Sequence, residues 1–165
     1  MKVYKNSDIT QLRRQAELRT RRRLNLNIHE DFDDPIQKFF NAICKDSYIR
    51  PHRHNDENGE ELLIAIEGVF GIFTFDAFGD VVDVIMCSSD KSDVERNRLA
   101  VVPPYVWHTV LAISDDCVIL EVKKGPYSQE SAKEFASWSP EPDTHEASVY
   151  IQKLQKVGKK ITHMD

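Results

Sequence analysis

The sequence contains few cysteines and no long apolar segment. Its three cysteines, Cys44, Cys87 and Cys117, stand far apart and form no CxxC pair, so we expect reduced, buried thiols and neither a zinc ribbon nor a redox site. No stretch approaches the ~18 uninterrupted apolar residues of a membrane helix, and the N-terminus lacks an apolar run of signal-peptide length. We therefore expect a cytoplasmic protein that is not bound to a membrane.

Basic residues are fewer than acidic residues. Lysine and arginine total 22 against 27 acidic residues, which gives a net charge of −5 and argues against nucleic acid as a partner. The exception is an arginine-rich N-terminal stretch, which contains Arg13, Arg14, Arg19, Arg21, Arg22 and Arg23. It has two interpretations: a solvated helix end, where cations suit the negative pole of the helix dipole, or a grip on phosphates or on an acidic partner.

Short β-like segments separated by turn residues dominate the middle of the chain. They predict about eight strands, at residues 23–29, 47–54, 62–67, 69–75, 81–87, 99–102, 107–113 and 117–124. No long helix lies between them, which favours an antiparallel sandwich or barrel over a parallel α/β sheet. The expected fold class is therefore mainly β.

Three helices are predicted around these strands. Ser7 is a plausible N-cap for a basic amphipathic helix over 7–21. A proline at the first helical position and four apolar residues at helical spacing predict a short helix near 35–44. A final apolar stripe predicts a C-terminal helix stopped by Gly158.

The length of 165 residues suits one domain. We expect a single domain over 1–165, with a core barrel at about 23–127. An N-terminal helical arm would cover 1–22, and a C-terminal extension would cover 128–165.

The segment PHRHNDENGEE carries the strongest chemical signal. On an extended strand His52 and His54 lie on the same face, and two adjacent imidazoles form half of a transition-metal site. The following turn would bring the carboxylate of Glu60 or Glu61 close to them. His108, at the head of a later strand, is the fourth candidate.

This arrangement resembles the two motifs of the cupin family. The first motif is HxH, a glutamate, six residues and a glycine, and the second is PxGxxH. The matching residues are His52, His54, Glu61, Gly68, Pro103 and His108. Glu61 is preferred to Glu60 because it keeps the six-residue spacing to Gly68, whereas Tyr105 replaces the glycine of the second motif. The resemblance implies an antiparallel double-stranded β-helix, or jelly roll, that holds one divalent metal with His52, His54, Glu61 and His108.

Longer runs resemble the WbuC family of cupin-fold metalloproteins, which are encoded in bacterial O-antigen gene clusters. The runs are RRRLNLNIH, DPIQKFFNAI, SYIRPHRH, WHTVLAI, LEVKKGPY and KEFASWSPE, and the match covers most of residues 20–155. It implies a role in O-antigen or lipopolysaccharide biosynthesis. The metal would be Fe, Mn, Ni, Co or Zn, because imidazole and carboxylate ligands accept all five.

Other polar residues lie where strand alternation would point them into a barrel. Glu121 and His29 are candidate catalytic acids or bases. The candidates for substrate binding are Arg50, Asn25, Asn27, Lys123 and Tyr127. The alternatives remain a solvated sheet face for the residues on the early strands, an exposed strand pair for Glu121 and Lys123, and simple packing at a turn for Tyr127.

Several functions are compatible with such a site. The favoured hypothesis is metal-assisted acid/base chemistry on a small polar molecule such as a sugar or nucleotide-sugar, as in an isomerase or epimerase. A metal-dependent oxygenase, a cupin that uses its histidine without metal, and a non-catalytic metal- or sugar-binding accessory module are the alternatives. We also expect a homodimer, because an open sheet edge is a liability unless it is covered.

Overall fold

The computed structural model describes residues 1–127 and 133–162. Residues 128–132 and 163–165 of the predicted C-terminal extension lie outside the described residues. The elements, in chain order, are α1 (Asn6–Glu17), β1 (Arg23–Asn27), β2 (Ile36–Cys44), β3 (His52–Arg53), β4 (Glu61–Glu67), β5 (Val69–Phe75), β6 (Val81–Ser88), β7 (Leu99–Val102), β8 (Trp107–Ala112), β9 (Asp116–Lys124), β10 (Glu134–Phe135) and α2 (His145–Thr162).

The strands form two five-stranded antiparallel sheets. The first sheet has the order β1-β2-β9-β4-β7 and the second the order β10-β3-β8-β5-β6. Several strands that are neighbours in sequence, such as β4 and β5, lie in different sheets, whereas β1 pairs with β2 and β5 pairs with β6. This is the arrangement of a double-sheet jelly roll. The mainly β fold class and the jelly-roll architecture are confirmed.

The apolar core fills the space between the sheets. Its largest members are Ile43, Leu63, Phe70, Ile72 and Ile119. Sheet-on-sheet packing of this kind buries the inward side chains of both layers. Polar side chains replace the apolar ones toward one end of the same interior, and the candidate site lies there.

Each helix covers the outer face of one sheet. Ile9, Leu12 and Ala16 of α1 pack on the first sheet, and α2 packs on Phe73 and Leu111 of the second. Of the described helical segments, none has the length and apolarity that crossing a membrane requires.

The prediction of a short helix near 35–44 is wrong, because this segment is strand β2. Its inward face carries Gln37, Phe39, Asn41 and Ile43. Its outward face is covered by α1 and carries Phe40, Ala42 and Cys44. Because the inward face mixes polar and apolar residues and the outward face is apolar beneath α1, the alternation of a half-buried strand is hidden, and the apolar residues happen to fall at helical spacing.

The C-terminal helix continues past its predicted end. Gly158 lies within α2, and a Cβ on it would lie 3.1 Å from the ring of Phe73 and 3.2 Å from Ile113. The glycine therefore marks a close approach between helix and sheet. It is not a C-cap. At the other end of the chain, α1 stops at Glu17, four residues before the predicted boundary.

The cysteines occupy the positions expected of reduced thiols. All three are buried and free of disulfides. Cys87 and Cys117 belong to the core between the sheets, and burial raises the pKa of Cys87 to about 11. These thiols are packing residues.

Gly68 of the first cupin motif forms the turn between β4 and β5 with φ of 73°. A Cβ there would lie 2.5 Å from the carbonyl oxygen of Asp116 and 2.6 Å from the hydroxyl oxygen of Ser114. We expect Gly68→Ala to lower the free energy of unfolding by more than ~1 kcal/mol, because the backbone conformation and the space both disfavour a side chain. Urea denaturation measures this, and the slope m should not change. An unchanged midpoint would contradict this explanation of the motif.

Candidate metal centre

Strand pairing brings the four predicted ligands together. His52 of β3 lies directly opposite His108 of β8 in the second sheet. Glu61 begins β4 in the first sheet, across the interior. The loop between His54 and Glu61 turns at Asp56, whose carbonyl and carboxylate oxygens accept hydrogen bonds from the backbone amides of the next residues. The site therefore joins both sheets.

The cluster is compact and buried. His52, His54, Glu61 and His108 are each at most 6% exposed, and one ligand atom from each lies within 4.8 Å of the others. The closest pair of rings, His52 and His108, has centroids 4.5 Å apart. Ligand atoms around a transition metal lie about 3 to 4 Å apart, because each bond is about 2.1 Å long. A small contraction would therefore seat one ion.

Backbone carbonyls set the protonation of two of these histidines. Nδ1 of His52 lies 2.9 Å from the Arg50 carbonyl oxygen, and Nδ1 of His108 lies 2.9 Å from the Val106 carbonyl oxygen. A carbonyl only accepts, so each Nδ1 carries the proton and each Nε2 keeps a lone pair. Burial, with the nearby charge of Lys133, also holds the pKa of His52 well below its ordinary value. Neutral imidazoles held in this way suit metal ligation.

The Nε2 atoms of His52 and His108 have no hydrogen-bond partner within the described part of the chain, although both are buried. An unsatisfied buried nitrogen is costly in a packed interior. A divalent metal bound by both atoms would satisfy them. The residues present therefore fit a single divalent metal.

Glu61, and not Glu60, is the carboxylate of the cluster. Glu60 is exposed, whereas Oε1 of Glu61 lies 2.9 Å from His54 Nε2 and its Oε2 lies 3.5 Å from His108 Nε2. Burial alone would raise the pKa of Glu61. The positive charge of Lys123 and the adjacent His108 and His54 rings instead hold the pKa of Glu61 well below its ordinary value. Glu61 is therefore a carboxylate and can act as an anionic ligand.

The matched pair Glu61→Gln and Glu60→Gln tests this assignment. Glu61→Gln is expected to weaken metal affinity more than about tenfold, because it removes the only anionic ligand of the cluster. Glu60→Gln should leave the affinity unchanged. A chelator-competition titration with Zn(II) measures both values, and equal effects of the two substitutions would contradict the choice of Glu61.

Tyr105 stands where the second cupin motif has a glycine, and the backbone adopts the conformation that this position requires. Tyr105 has φ of 64°, in the left-handed region that the glycine of the second cupin motif would favour. Its backbone amide donates to the His54 carbonyl oxygen at 2.9 Å. The turn that carries His108 to the cluster is thus preserved with a tyrosine in the glycine position.

Glu121 and Lys123 lie beside the cluster, on β9. Lys123 Nζ lies 3.1 Å from Oε1 of Glu61 and 3.2 Å from Oε1 of Glu121. Burial opposes the charge of Lys123, but Glu121 and Glu61 raise its pKa above the ordinary value. Burial and the neighbouring Glu61 likewise raise the pKa of Glu121. The expectation of an exposed strand pair is therefore wrong, because both side chains are enclosed.

A cavity of about 1200 Å³ opens between the sheets beside His52. The five residues predicted to bind substrate all line it, namely Asn25, Asn27, Arg50, Lys123 and Tyr127, and so do both predicted catalytic residues, His29 and Glu121. A smaller cavity of about 280 Å³ lies on the His54 side, and Lys123 and Tyr127 border it as well.

Among these residues, His29 and Arg50 differ in the hydrogen-bond and ion-pair partners of their side chains. His29 is 6% exposed, and its Nδ1 lies 2.9 Å from the Lys38 carbonyl oxygen. Its Nε2 has no hydrogen-bond partner among the described residues. Arg50 instead donates to Ser139 at 3.0 Å and pairs with Glu141 at 2.6 Å. Arg50 therefore holds the C-terminal segment, and His29 is available to a ligand.

Two further cavity residues were missed by the sequence analysis. Asn41 is 8% exposed, and its Oδ1 has no hydrogen-bond partner within the described chain. It was missed because it lies on β2, which the apolar spacing disguises as a helix. Lys133 lies just before the two-residue strand β10, which is too short to produce a recognisable alternation.

Comparisons with solved structures show similarity in fold at low sequence identity. A protein from Shewanella oneidensis has a TM-score of 0.53 and 11% identity, and the match covers 84% of each chain. A protein from Thermus thermophilus has a TM-score of 0.52 and 14% identity, over 75% of this chain and 97% of that one. A cupin superfamily protein from Desulfitobacterium hafniense has a TM-score of 0.47 and 14% identity, over 66% of this chain and 85% of that one.

Comparison with curated proteins gave no significant match. Residues 4–87, about half of the sequence, match the profile of one family. The resemblance to the WbuC family is not tested by these comparisons and stays a prediction. The chain, which has a cupin fold and a buried cluster suited to one divalent metal, belongs to the family described as "Domain of unknown function (DUF6016)".

Proposed function

We propose that the protein is a metal-dependent enzyme that performs acid/base chemistry on a small polar molecule. One observation carries the proposal: a buried three-histidine, one-glutamate cluster borders a large cavity. The cavity is also lined by His29, whose Nε2 has no hydrogen-bond partner among the described residues. A convergent set of polar groups in a concave site is the usual form of an active site.

One set of side chains would bind the metal, and another would act on the substrate. His52, His54, Glu61 and His108 would hold the ion, and when bound it would supply a Lewis acid for a carbonyl or hydroxyl group. His29 would move a proton at its Nε2, while the Lys38 backbone fixes the ring through Nδ1. Glu121 is the second candidate for proton transfer, and Lys123 keeps the Glu61 and Glu121 carboxylates in place.

The proposed substrate is a sugar or nucleotide-sugar. Asn25, Asn27 and Asn41 present amide groups to the cavity, and amides both donate to and accept from hydroxyl groups. A role in bacterial O-antigen or lipopolysaccharide biosynthesis is proposed on the resemblance to the WbuC family alone.

A panel of nucleotide-sugars, assayed with Fe, Mn, Ni, Co and Zn, tests the proposal. Turnover that depends on added metal and is abolished by His108→Ala would support it. Saturable binding with no turnover of any compound would overturn it in favour of an accessory module. Oxygen consumption coupled to substrate loss with Fe(II) would favour an oxygenase instead.

We also propose a cytoplasmic homodimer of single-domain chains. Strand β7 forms an edge of the first sheet, and its Leu99 and Val101 are 49% and 46% exposed. Edge strands with exposed apolar side chains invite pairing with a second copy. Light scattering should therefore give a dimer mass at micromolar concentration, and a clean monomer would contradict the dimer.

A further inference from the structure

Residues from an edge strand of each sheet, or next to it, line the large cavity. Strand β1 borders it on one side and β10 on the other. Each border carries a cation, Arg23 on β1 and Lys133 just before β10. The two charges belong to different sheets and line the same space.

Arg23 makes its hydrogen bonds within the described chain to neutral groups, and Asp143 acts on it only at longer range. Its Nη1 donates to the Tyr48 carbonyl oxygen at 2.6 Å and to the Ser47 hydroxyl at 3.3 Å. No ion pair joins it to a carboxylate within the described residues, although its side chain is partly buried. Burial, with the nearby Arg21, lowers the pKa of Arg23 to about 10.

Lys133 is in a similar position on the opposite wall. In β10, Glu134 lies opposite Arg53 and Phe135 opposite His52. Because side chains alternate along a strand, Lys133 lies on the side of Phe135, toward the cavity. It makes no hydrogen bond or ion pair with the part of the chain that the structure describes. Burial lowers the pKa of its ammonium group, and the charges of Glu61 and Glu121 only partly oppose that effect.

The other charges around the cavity are already paired or exposed. Lys123 binds Glu61 and Glu121, and Arg50 binds Glu141. Asp46 binds Arg22, while Arg21 and Asp143 are exposed. Arg23 and Lys133 are therefore the enclosed positive charges that form no ion pair with a carboxylate among the described residues, although Asp143 acts on Arg23, and Glu61 and Glu121 act on Lys133, at longer range.

We propose that Arg23 and Lys133, which line the same cavity, form a clamp that binds an oxyanion of the ligand, either a carboxylate or a phosphate. Enclosed charges are normally paired, and charge-assisted hydrogen bonds to carboxylate or phosphate are strong. The inference rests on the proposed use of the cavity as the substrate site and restricts the substrate to anionic sugars. The amides of Asn25 and Asn27, on the same strand as Arg23, would then face the hydroxyl groups.

Calorimetric titration of the metal-free full chain tests the clamp. The probes are inorganic phosphate, glucose 6-phosphate, glucuronate and neutral glucose. Each clamp variant has a matched control at an exposed cation of the same type: Lys133→Met is compared with Lys91→Met, and Arg23→Met with Arg19→Met. Lys133→Met is the cleaner variant, because Arg23 also supports the backbone near Tyr48.

We expect at least one oxyanion to bind more tightly than glucose. Lys133→Met should weaken that binding about tenfold or more, while Lys91→Met should not. Preference for the phosphate probes or for glucuronate would distinguish the two oxyanions. Oxyanion binding that is unaffected by Lys133→Met and Arg23→Met, or no oxyanion binding at all, would overturn the clamp.

Metal content and turnover measured on the same proteins keep the two proposals separate. Oxyanion binding that requires Lys133, in a chain that binds no metal, would reject the enzymatic proposal and retain the clamp. Metal-dependent turnover with no effect of either clamp variant would reject the clamp and retain the enzymatic proposal.

Discussion

Replacing His108 with alanine is expected to weaken the affinity for a divalent metal more than about 100-fold. Removal of a group that only orients a ligand already reduces affinity about 10- to 100-fold, and His108 contributes the ligand atom itself. Its ring is 1% exposed, it pairs in register with His52, and its Nδ1 is fixed by the Val106 carbonyl. Metal analysis and competition against a chelator with Zn(II) or Co(II) would measure the loss.

The matched control is His145→Ala. His145 begins α2, is exposed, and lies outside the cluster, so its removal should not affect metal binding. His52→Ala provides a second ligand variant in case His108→Ala folds poorly. A folded ligand variant that keeps the affinity of the original protein would reject the proposed ligand set.

The sequence predicts this site well because the ligands have a fixed local spacing. Two histidines separated by one residue must share a face of a strand, and the structure places His52 and His54 in one cluster. The carboxylate was ambiguous because the preceding loop is long. Burial decides it, since Glu61 begins β4 inside the sandwich while Glu60 stays in solvent.

Strand β2 shows where periodicity fails. Local patterns assume that apolar residues face the protein interior and polar residues face water. In β2 the polar Gln37 and Asn41 line an internal cavity, and Phe40 and Ala42 face outward beneath α1. The inward polar residues reflect the cavity on one face of β2, and the outward apolar residues reflect the helix on the other face. The sequence of the segment itself shows neither the cavity nor the helix.

The partners of charged residues were equally hidden from the sequence. Lys123 contacts Glu61 across 62 residues of chain, and Arg50 reaches Ser139 across 89. Such pairs depend on which strands become neighbours, so the role of Arg50 in holding the C-terminal segment could not be inferred locally. The arginines of the N-terminal stretch likewise have different surroundings that the sequence does not reveal. Arg13 pairs with Glu67 and Asp116 on the surface, while Arg23 faces the cavity.

Substitution of His29 is expected to produce the second large effect, on catalysis and not on metal binding. His29→Asn should lower kcat about 10²- to 10⁴-fold, the range typical of a lost general acid or base. The metal content should not change, because His29 lies outside the ligand cluster. Steady-state kinetics on a substrate identified in the nucleotide-sugar panel would measure the effect.

The neighbouring Asn27→Ala is the informative comparison. Both residues line the cavity from the same segment of chain, but an amide can only hydrogen-bond the substrate, whereas an imidazole can also transfer a proton. Asn27→Ala should therefore act mainly on KM, and His29→Asn mainly on kcat. If His29→Asn changes only KM, His29 is a binding residue and Glu121 becomes the remaining candidate for the proton transfer. A pH profile of kcat that loses one limb in His29→Asn, and keeps both in Asn27→Ala, would place that proton on the His29 ring.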